Sequence, residues 1–247
     1  MCQLCLAIPT TNAIVRTVIV ALIIILLLVG AIYLGLAVRR MLSPNAITRT
    51  VSRRGFDGGS YRVHGNLKDP QQAADLLAKL NLRASALVGA LHRRYLGYGA
   101  DIPPTAPAAE RTPARVACVR NLVARYNPDN FVENSYLDGS GDSSYCIDKG
   151  AILAICLRNR AGAGAVAGKF QDEDTLFFVT LHELTHMTIE AVDHPPIFWS
   201  AFRFILEEAE KSPINYISRN FERMPTLYCG ININYNPRYD QVLKPLA

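Results

Sequence analysis

The sequence predicts an α+β protein with one transmembrane helix near its N-terminus. Residues 17–38 form an uncharged apolar run, apolar stripes at helical spacing recur further on, and two short β-like runs flank a turn at residues 148–150. The predicted order is a short non-cytosolic N-terminus at residues 1–16, the transmembrane helix, a basic flexible tether at residues 39–68 and a mixed domain at residues 69–247.

The apolar run is long enough to cross a bilayer. Its 22 residues span about 33 Å as a helix, against about 30 Å of hydrocarbon. A cleaved signal peptide is the alternative, but the run is too long for its apolar region and no clear A-x-A site follows. One arginine precedes the run and five follow it, so the positive-inside rule predicts a single-pass membrane protein with a cytosolic C-terminal domain.

Positive charge is concentrated directly after the apolar run. Residues 39–68 carry seven basic residues and one acid, whereas the chain from Asp69 onward carries 18 basic and 20 acidic residues. This Arg-, Gly- and Ser-rich segment shows no helical periodicity and predicts a tether. Its arginines from Arg39 to Arg62 are expected to contact anionic lipid headgroups. Nucleic acid is the second choice because the following domain has no net basic charge.

Turn and capping residues divide the rest of the chain into elements. Helices are predicted to begin at Asp69-Pro70, at Thr112-Pro113, at Asp172 or Asp174, and at Pro195-Pro196. A shorter helix is predicted at residues 215–221. The β-like segments are a hairpin formed by residues 144–147 and 151–157 and a strand-like stretch at residues 228–235.

The segment at residues 182–194, HELTHMTIEAVDH, carries three of the five histidines. It opens with His-Glu-x-x-His, and on a helix His182 and His186 lie one turn apart on one face, where two imidazoles can bind one Zn²⁺. Glu183 is adjacent to His182, so it is placed to take a proton from a zinc-held water instead of binding the metal. The segment therefore predicts a catalytic zinc site with Glu183 as general base.

A catalytic zinc site needs a third protein ligand. His194 is the first candidate, because it lies eight residues after the motif and beyond the predicted helix end. Glu207 or Glu208 of the following helix is the alternative. Glu190 is expected to be solvated or to lie outside the ligand shell, and Asp193 either orients an imidazole or occupies a turn.

Three tyrosines downstream could serve the same site. A hydroxyl from Tyr216, Tyr228 or Tyr235 could stabilise the oxyanion of a tetrahedral intermediate, and Tyr228 is the candidate taken forward, although the sequence does not choose among them. The cysteines are expected to be reduced in a cytosolic domain. Cys229 is expected to be a buried thiol rather than a metal ligand.

Residues 144–237 resemble the WLM and SprT-like zinc metallopeptidases, above all the WLM-like proteins of large DNA viruses. The matching pieces are SYCIDKGAILAICLR, DTLFFVTLHELTHM, HPPIFWSAFRFILEEA and NFERMPTLYCGININYNP. The resemblance implies a zincin-like α+β domain in which His182, His186 and His194 bind zinc and Glu183 is the catalytic acid/base. The chain departs from the pattern at Asp193, where a Gly often stands, and in the Pro-Pro-Ile trio that follows His194.

Together these patterns predict a membrane-anchored zinc metallopeptidase acting on protein or peptide substrates, in a host or virion membrane if the chain is viral. One alternative is a catalytically silent membrane or virion-envelope scaffold that keeps the metal. Another is a DNA-associated protease that uses the basic tether, since characterised relatives include proteases that clear DNA–protein crosslinks.

Overall fold

The chain divides into two units, Met1–Ile47 and Thr48–Ala247. A computed structural model describes residues 11–41, 50–134, 143–159 and 168–247, with side chains of the first helix described from residue 18 to residue 33. The first unit contains helix α1, Thr11–Met41. All other helices and strands described below belong to the second unit.

The predicted membrane anchor is contradicted. Over the described part of the chain, no helix is long and apolar enough to cross a membrane. The described side chains of α1, at residues 18–33, are apolar and exposed. The finding overturns the transmembrane helix predicted at residues 17–38 and the single-pass localisation with a cytosolic domain. The non-cytosolic placement of residues 1–16 and the lipid partner stay predictions, and residues 1–10 lie outside the described residues.

One mixed five-stranded sheet organises the second unit. Its order is β1-β2-β3-β5-β4, with β3 parallel to both neighbours and the two outer pairs antiparallel. The strands are β1 Thr50–Arg54, β2 Ser60–His64, β3 Phe131–Glu133, β4 Tyr145–Ile147 and β5 Ile152–Ile155. The hairpin predicted near residues 148–150 is confirmed as β4 and β5, and it places β4 at one edge of the sheet.

Strands β1 and β2 lie where a flexible tether was predicted, so that prediction is wrong for residues 50–64. Alternate residues of β2 are buried, and Tyr61 and Val63 join the core. The Tyr61 hydroxyl donates to Asp57 (2.6 Å) and accepts from Asn81 (2.9 Å), which ties the hairpin to the helix that begins at Pro70. The Gly- and Ser-rich composition reflects the tight turn between the strands, where Gly58 adopts a φ of 82°.

Four α-helices of the second unit, among the described residues, begin where the sequence predicts. They are α2 Pro70–Leu91, α3 Pro113–Arg125, α4 Glu173–His186 and α5 Pro196–Lys211, and two of them, α2 and α4, contact the sheet. A π turn, His92–Leu96, extends α2, and 3₁₀ turns occupy Ala108–Glu110 and Pro128–Asn130. Apolar stripes at helical spacing are buried, as in α5, where Phe198, Phe202 and Ile205 form part of the core.

The short helix predicted at residues 215–221 is wrong, because residues 215–220 have no regular secondary structure. Asn215 has a φ of 52°, a left-handed conformation that interrupts a right-handed helix. The next residue, Tyr216, turns inward and packs edge-on against Phe177. The chain therefore packs this tyrosine in the core instead of forming the predicted short helix.

A two-stranded hairpin lies where a single strand-like stretch was predicted at residues 228–235, so the β character is confirmed but the continuous strand is wrong. Strands β6 Thr226–Tyr228 and β7 Ile231–Ile233 are antiparallel, and the turn residues Cys229 and Gly230 both have positive φ, as hairpin turns of two residues prefer. A disulfide joins Cys229 to Cys156 just after β5. The prediction of reduced cysteines is therefore wrong for this pair, since the fold brings their Cα atoms to 6.3 Å, within the range that a disulfide bridges.

A buried ion pair links the sheet to the start of α2. The Arg158 and Glu133 side chains are 2% and 1% exposed, and their Nε and Oε1 atoms are 2.7 Å apart. Arg158 also donates to the Lys68 and Asp69 carbonyls, and Glu133 accepts from the His64 amide. These contacts satisfy both buried charges and link the central strand β3 to the residues that precede α2.

Candidate metal centre

Helix α4 positions two of the predicted site residues. Asp172 caps it by accepting a hydrogen bond from the Thr175 amide (2.9 Å), and Glu173 and Asp174 lie in its first turn, where negative charge complements the helix dipole. The helix ends at His186. Its buried apolar side anchors it in the core, while the two histidines lie at its surface one turn apart.

The structure brings His182, His186 and His194 together, as the sequence predicts. Within the described residues they form a group of metal-ligating side chains whose donor atoms all lie within 4.8 Å of one another. The Nε2 atoms of His182 and His194 are 2.9 Å apart. Two nitrogens on one tetrahedral Zn²⁺ would be about 3.4 Å apart, given bonds of about 2.0–2.1 Å. The three imidazoles could therefore hold a metal ion, and they are a donor set that zinc accepts.

Asp193 supplies the turn that returns the third histidine to the helix. It has a φ of 59°, the left-handed conformation that Gly adopts most easily and Asp tolerates better than most residues. This explains how Asp can stand where the resembling families often have Gly. The Asp193 charge also raises the pKa of His186 and of His194, in opposition to the larger effect of burial.

Phe198 packs against all three imidazoles. Its ring centroid lies 4.8, 4.5 and 4.6 Å from those of His182, His186 and His194. Burial lowers the pKa of His182 well below its ordinary value, that of His186 to about 4, and that of His194 to a smaller degree. The three imidazoles are therefore neutral near pH 7, which is the form that binds a metal ion.

Glu183 is buried beside the cluster, with 4% of its surface exposed. Burial raises the pKa of its carboxyl group to about 8, so this group can exchange a proton near neutral pH. It follows His182 directly and lies outside the group of converging metal-ligating atoms. Its position fits a proton carrier rather than a ligand.

The rival third ligands are engaged elsewhere. Glu207 accepts a hydrogen bond from Arg203 (3.0 Å). Glu208 is buried and pairs with Arg94 and Lys211. Glu190, expected to be solvated or outside the shell, is exposed and forms an ion pair with Arg125.

The three tyrosines occupy different places. Tyr216 is packed in the core, and the Tyr235 hydroxyl donates to Asp240 (2.8 Å). The Tyr228 hydroxyl is 2.7 Å from the hydroxyl of Ser144, and both residues line a cavity together with His182 and Glu183. Of the three, Tyr228 has its hydroxyl fixed to the residue that borders the metal site.

Sequence reasoning missed Ser144. Its hydroxyl accepts a hydrogen bond from the Cys156 amide (2.9 Å) and contacts Tyr228, so it joins β5, the start of β4 and the closing hairpin. Cys229, considered as a possible metal ligand, instead forms the disulfide with Cys156. A serine before a short strand carries no pattern that distinguishes this role from an ordinary turn.

Two cavities meet at the histidine cluster. One of about 310 Å³ lies against α5 and the β6–β7 hairpin, and one of about 570 Å³ lies along β4 and residues 192–194. Both are lined by Ser144, His182, Glu183 and His194. The cluster therefore lies between two spaces, one beside the hairpin and one beside the edge strand.

Comparison with known proteins finds a similarity to a viral protein. The chain is 34% identical over 92 residues to an uncharacterised protein of Acanthamoeba polyphaga mimivirus, a match covering 37% of this chain and 44% of that protein. This similarity to a viral protein is consistent with the predicted viral origin. No family model matches the chain, and no solved structure matches it.

Proposed function

We propose that this chain is a zinc metallopeptidase of WLM/SprT-like type. The observation that carries the proposal is the convergence of His182, His186 and His194 within 4.8 Å, with the buried carboxyl group of Glu183 beside them and outside the ligand set. Metal ligands that leave a coordination position open, next to an acid/base group, characterise catalytic rather than structural zinc sites.

The three imidazoles would hold the ion through neutral ring nitrogens, and Phe198 would keep their rings in place. When bound, zinc supplies a Lewis acid that polarises a carbonyl oxygen and lowers the pKa of water. Glu183 accepts a proton from the attacking water and passes it to the amine nitrogen that leaves. The Tyr228 hydroxyl, held by Ser144, is proposed to donate a hydrogen bond to the substrate oxygen as negative charge develops there.

Strand β4 gives a physical reason to propose a peptide as substrate. It lies at the edge of the sheet, and Tyr145 and Cys146 of this strand line the cavity that contains the histidines. An extended peptide can add to such an edge through main-chain hydrogen bonds. A peptide bound in this way would pass the histidine cluster with its carbonyl groups at regular spacing.

The test measures zinc content and peptide cleavage on one sample of the full chain, for wild type and for Glu183→Gln. We expect about one zinc per chain in both proteins and cleavage by wild type alone. Absence of zinc from wild type after loading and dialysis would contradict the proposal. Peptide cleavage that survives complete metal removal would contradict it as well.

A further inference from the structure

The smaller cavity has mainly apolar walls. They are contributed by α4, α5 and the β6–β7 hairpin, and the apolar and aromatic residues are Phe178, Val179, Trp199, Phe202, Tyr228, Ile231, Ile233 and Tyr235. His182, Glu183 and His194 lie where the cavity meets the histidine cluster. Among the described residues that line it, Glu183 is the single carboxylic acid, and Lys and Arg are absent.

The tyrosines present rings rather than free hydroxyls to this space. The Tyr235 hydroxyl donates to Asp240, and the Tyr228 hydroxyl pairs with Ser144. The Tyr235 ring packs edge-on against Trp199, with centroids 5.2 Å apart. A charged side chain that entered would lose hydration among these walls, whereas an apolar one would gain free energy from leaving water.

The volume of the cavity limits the size of its occupant. A cavity of about 150 Å³ holds a benzene molecule, so about 310 Å³ has room for a phenyl, isobutyl or indole group. The larger cavity has a different character, because Asp148, Lys149 and Asp193 line it. The two spaces flanking the cluster therefore differ in polarity.

We propose that the smaller cavity is a specificity pocket that binds one bulky apolar side chain of a peptide, adjacent to the bond that is cut. The proposal rests on the peptidase function and adds the substrate class: peptides with Phe, Leu or Trp at one of the two residues flanking the scissile bond. The neighbouring residue then lies toward the larger, more polar cavity.

Trp199 is the single tryptophan of the chain and lines the pocket, so its fluorescence reports occupancy directly. The experiment titrates zinc-loaded Glu183→Gln, which binds without cutting, with capped Ala-X-Ala tripeptides in which X is Phe, Leu, Gly, Asp or Lys. We expect the Phe and Leu peptides to bind about 10- to 100-fold more tightly than the Gly peptide. Equal affinities for the Phe and Gly peptides, or tighter binding of the Asp or Lys peptide, would overturn the proposal.

Two variants test the location of the pocket. Ile233→Asp and Ile231→Asp each place a carboxylate in the pocket wall, and Ile231 is 47% exposed, so its replacement leaves the core intact. In the Glu183→Gln background, both are expected to abolish the preference for Phe over Gly. The matched control is Ile217→Asp, at a residue that is 84% exposed and lines a different cavity; it should retain the preference. A preference retained by both pocket variants places binding elsewhere.

The same peptides distinguish failure of the pocket proposal from failure of the proposed peptidase function. Preferential binding of the Phe peptide, combined with no cleavage of any peptide by the wild type, would uphold the pocket and refute the peptidase. Cleavage of Gly and Asp peptides as fast as Phe and Leu peptides would uphold the peptidase and refute the pocket.

Discussion

Loss of the Cys156–Cys229 disulfide is expected to destabilise the domain substantially. The two cysteines are 73 residues apart, and the chain-entropy relation for a loop of that length gives about 4 kcal/mol at 25 °C. Both residues are buried, and Cys229 begins the turn of the hairpin that carries Tyr228. Loss of the disulfide therefore raises the conformational entropy of the unfolded chain and removes a constraint on one wall of the candidate site.

The assay is urea unfolding of the full chain, followed by Trp199 fluorescence and circular dichroism, with and without reductant. The oxidised protein should exceed Cys156→Ala/Cys229→Ala in free energy of unfolding by about 2–4 kcal/mol, the usual range for a disulfide. Cys146→Ala is the control, because Cys146 is a half-buried free thiol. Equal midpoints for oxidised and reduced protein, or native labelling of Cys156 and Cys229 as free thiols, would refute the reasoning.

Two further predictions concern the buried Arg158–Glu133 ion pair and the third candidate metal ligand. Arg158→Met leaves the Glu133 carboxylate buried without its partner and should lower the free energy of unfolding by about 3–5 kcal/mol. The double variant Arg158→Met/Glu133→Gln should lower it by less than the sum of the two single changes. Additive losses in denaturant unfolding would argue against coupling between the two side chains. His194→Ala should lower zinc occupancy strongly in metal analysis, whereas Glu207→Ala should leave it unchanged. The reverse pattern would move the third ligand to α5.

The clustering of the three histidines could be predicted closely because its determinants are local. His182, Glu183 and His186 occupy one helix, so their spacing fixes their relative placement. His194 lies only eight residues after His186, and the turn at Asp193 brings it back to the helix. The helix starts were equally local, since a cap followed by Pro signals the boundary wherever the helix later packs.

The errors within the second unit came from long-range contacts. Strand β2 is stabilised by Tyr61, whose hydroxyl accepts a hydrogen bond from Asn81 on α2. No pattern in residues 39–68 indicates that this partner exists. The disulfide joins cysteines 73 residues apart, and spacing alone cannot pair them. At residues 215–221 the sequence predicted a helix, but Tyr216 packs against Phe177 in the core and no helix forms.

The measurement that tests the central claim most directly compares wild type with Glu183→Gln in zinc content and turnover. Gln keeps the size and shape of Glu but cannot accept a proton at neutral pH, so the fold and zinc occupancy should be preserved. Turnover should fall by at least about 10²–10⁴-fold, the usual contribution of positioned proton transfer. Cleavage at equal rates by both proteins would contradict the mechanism, and failure of both to cleave any peptide while both retain zinc would favour the metal-holding scaffold instead.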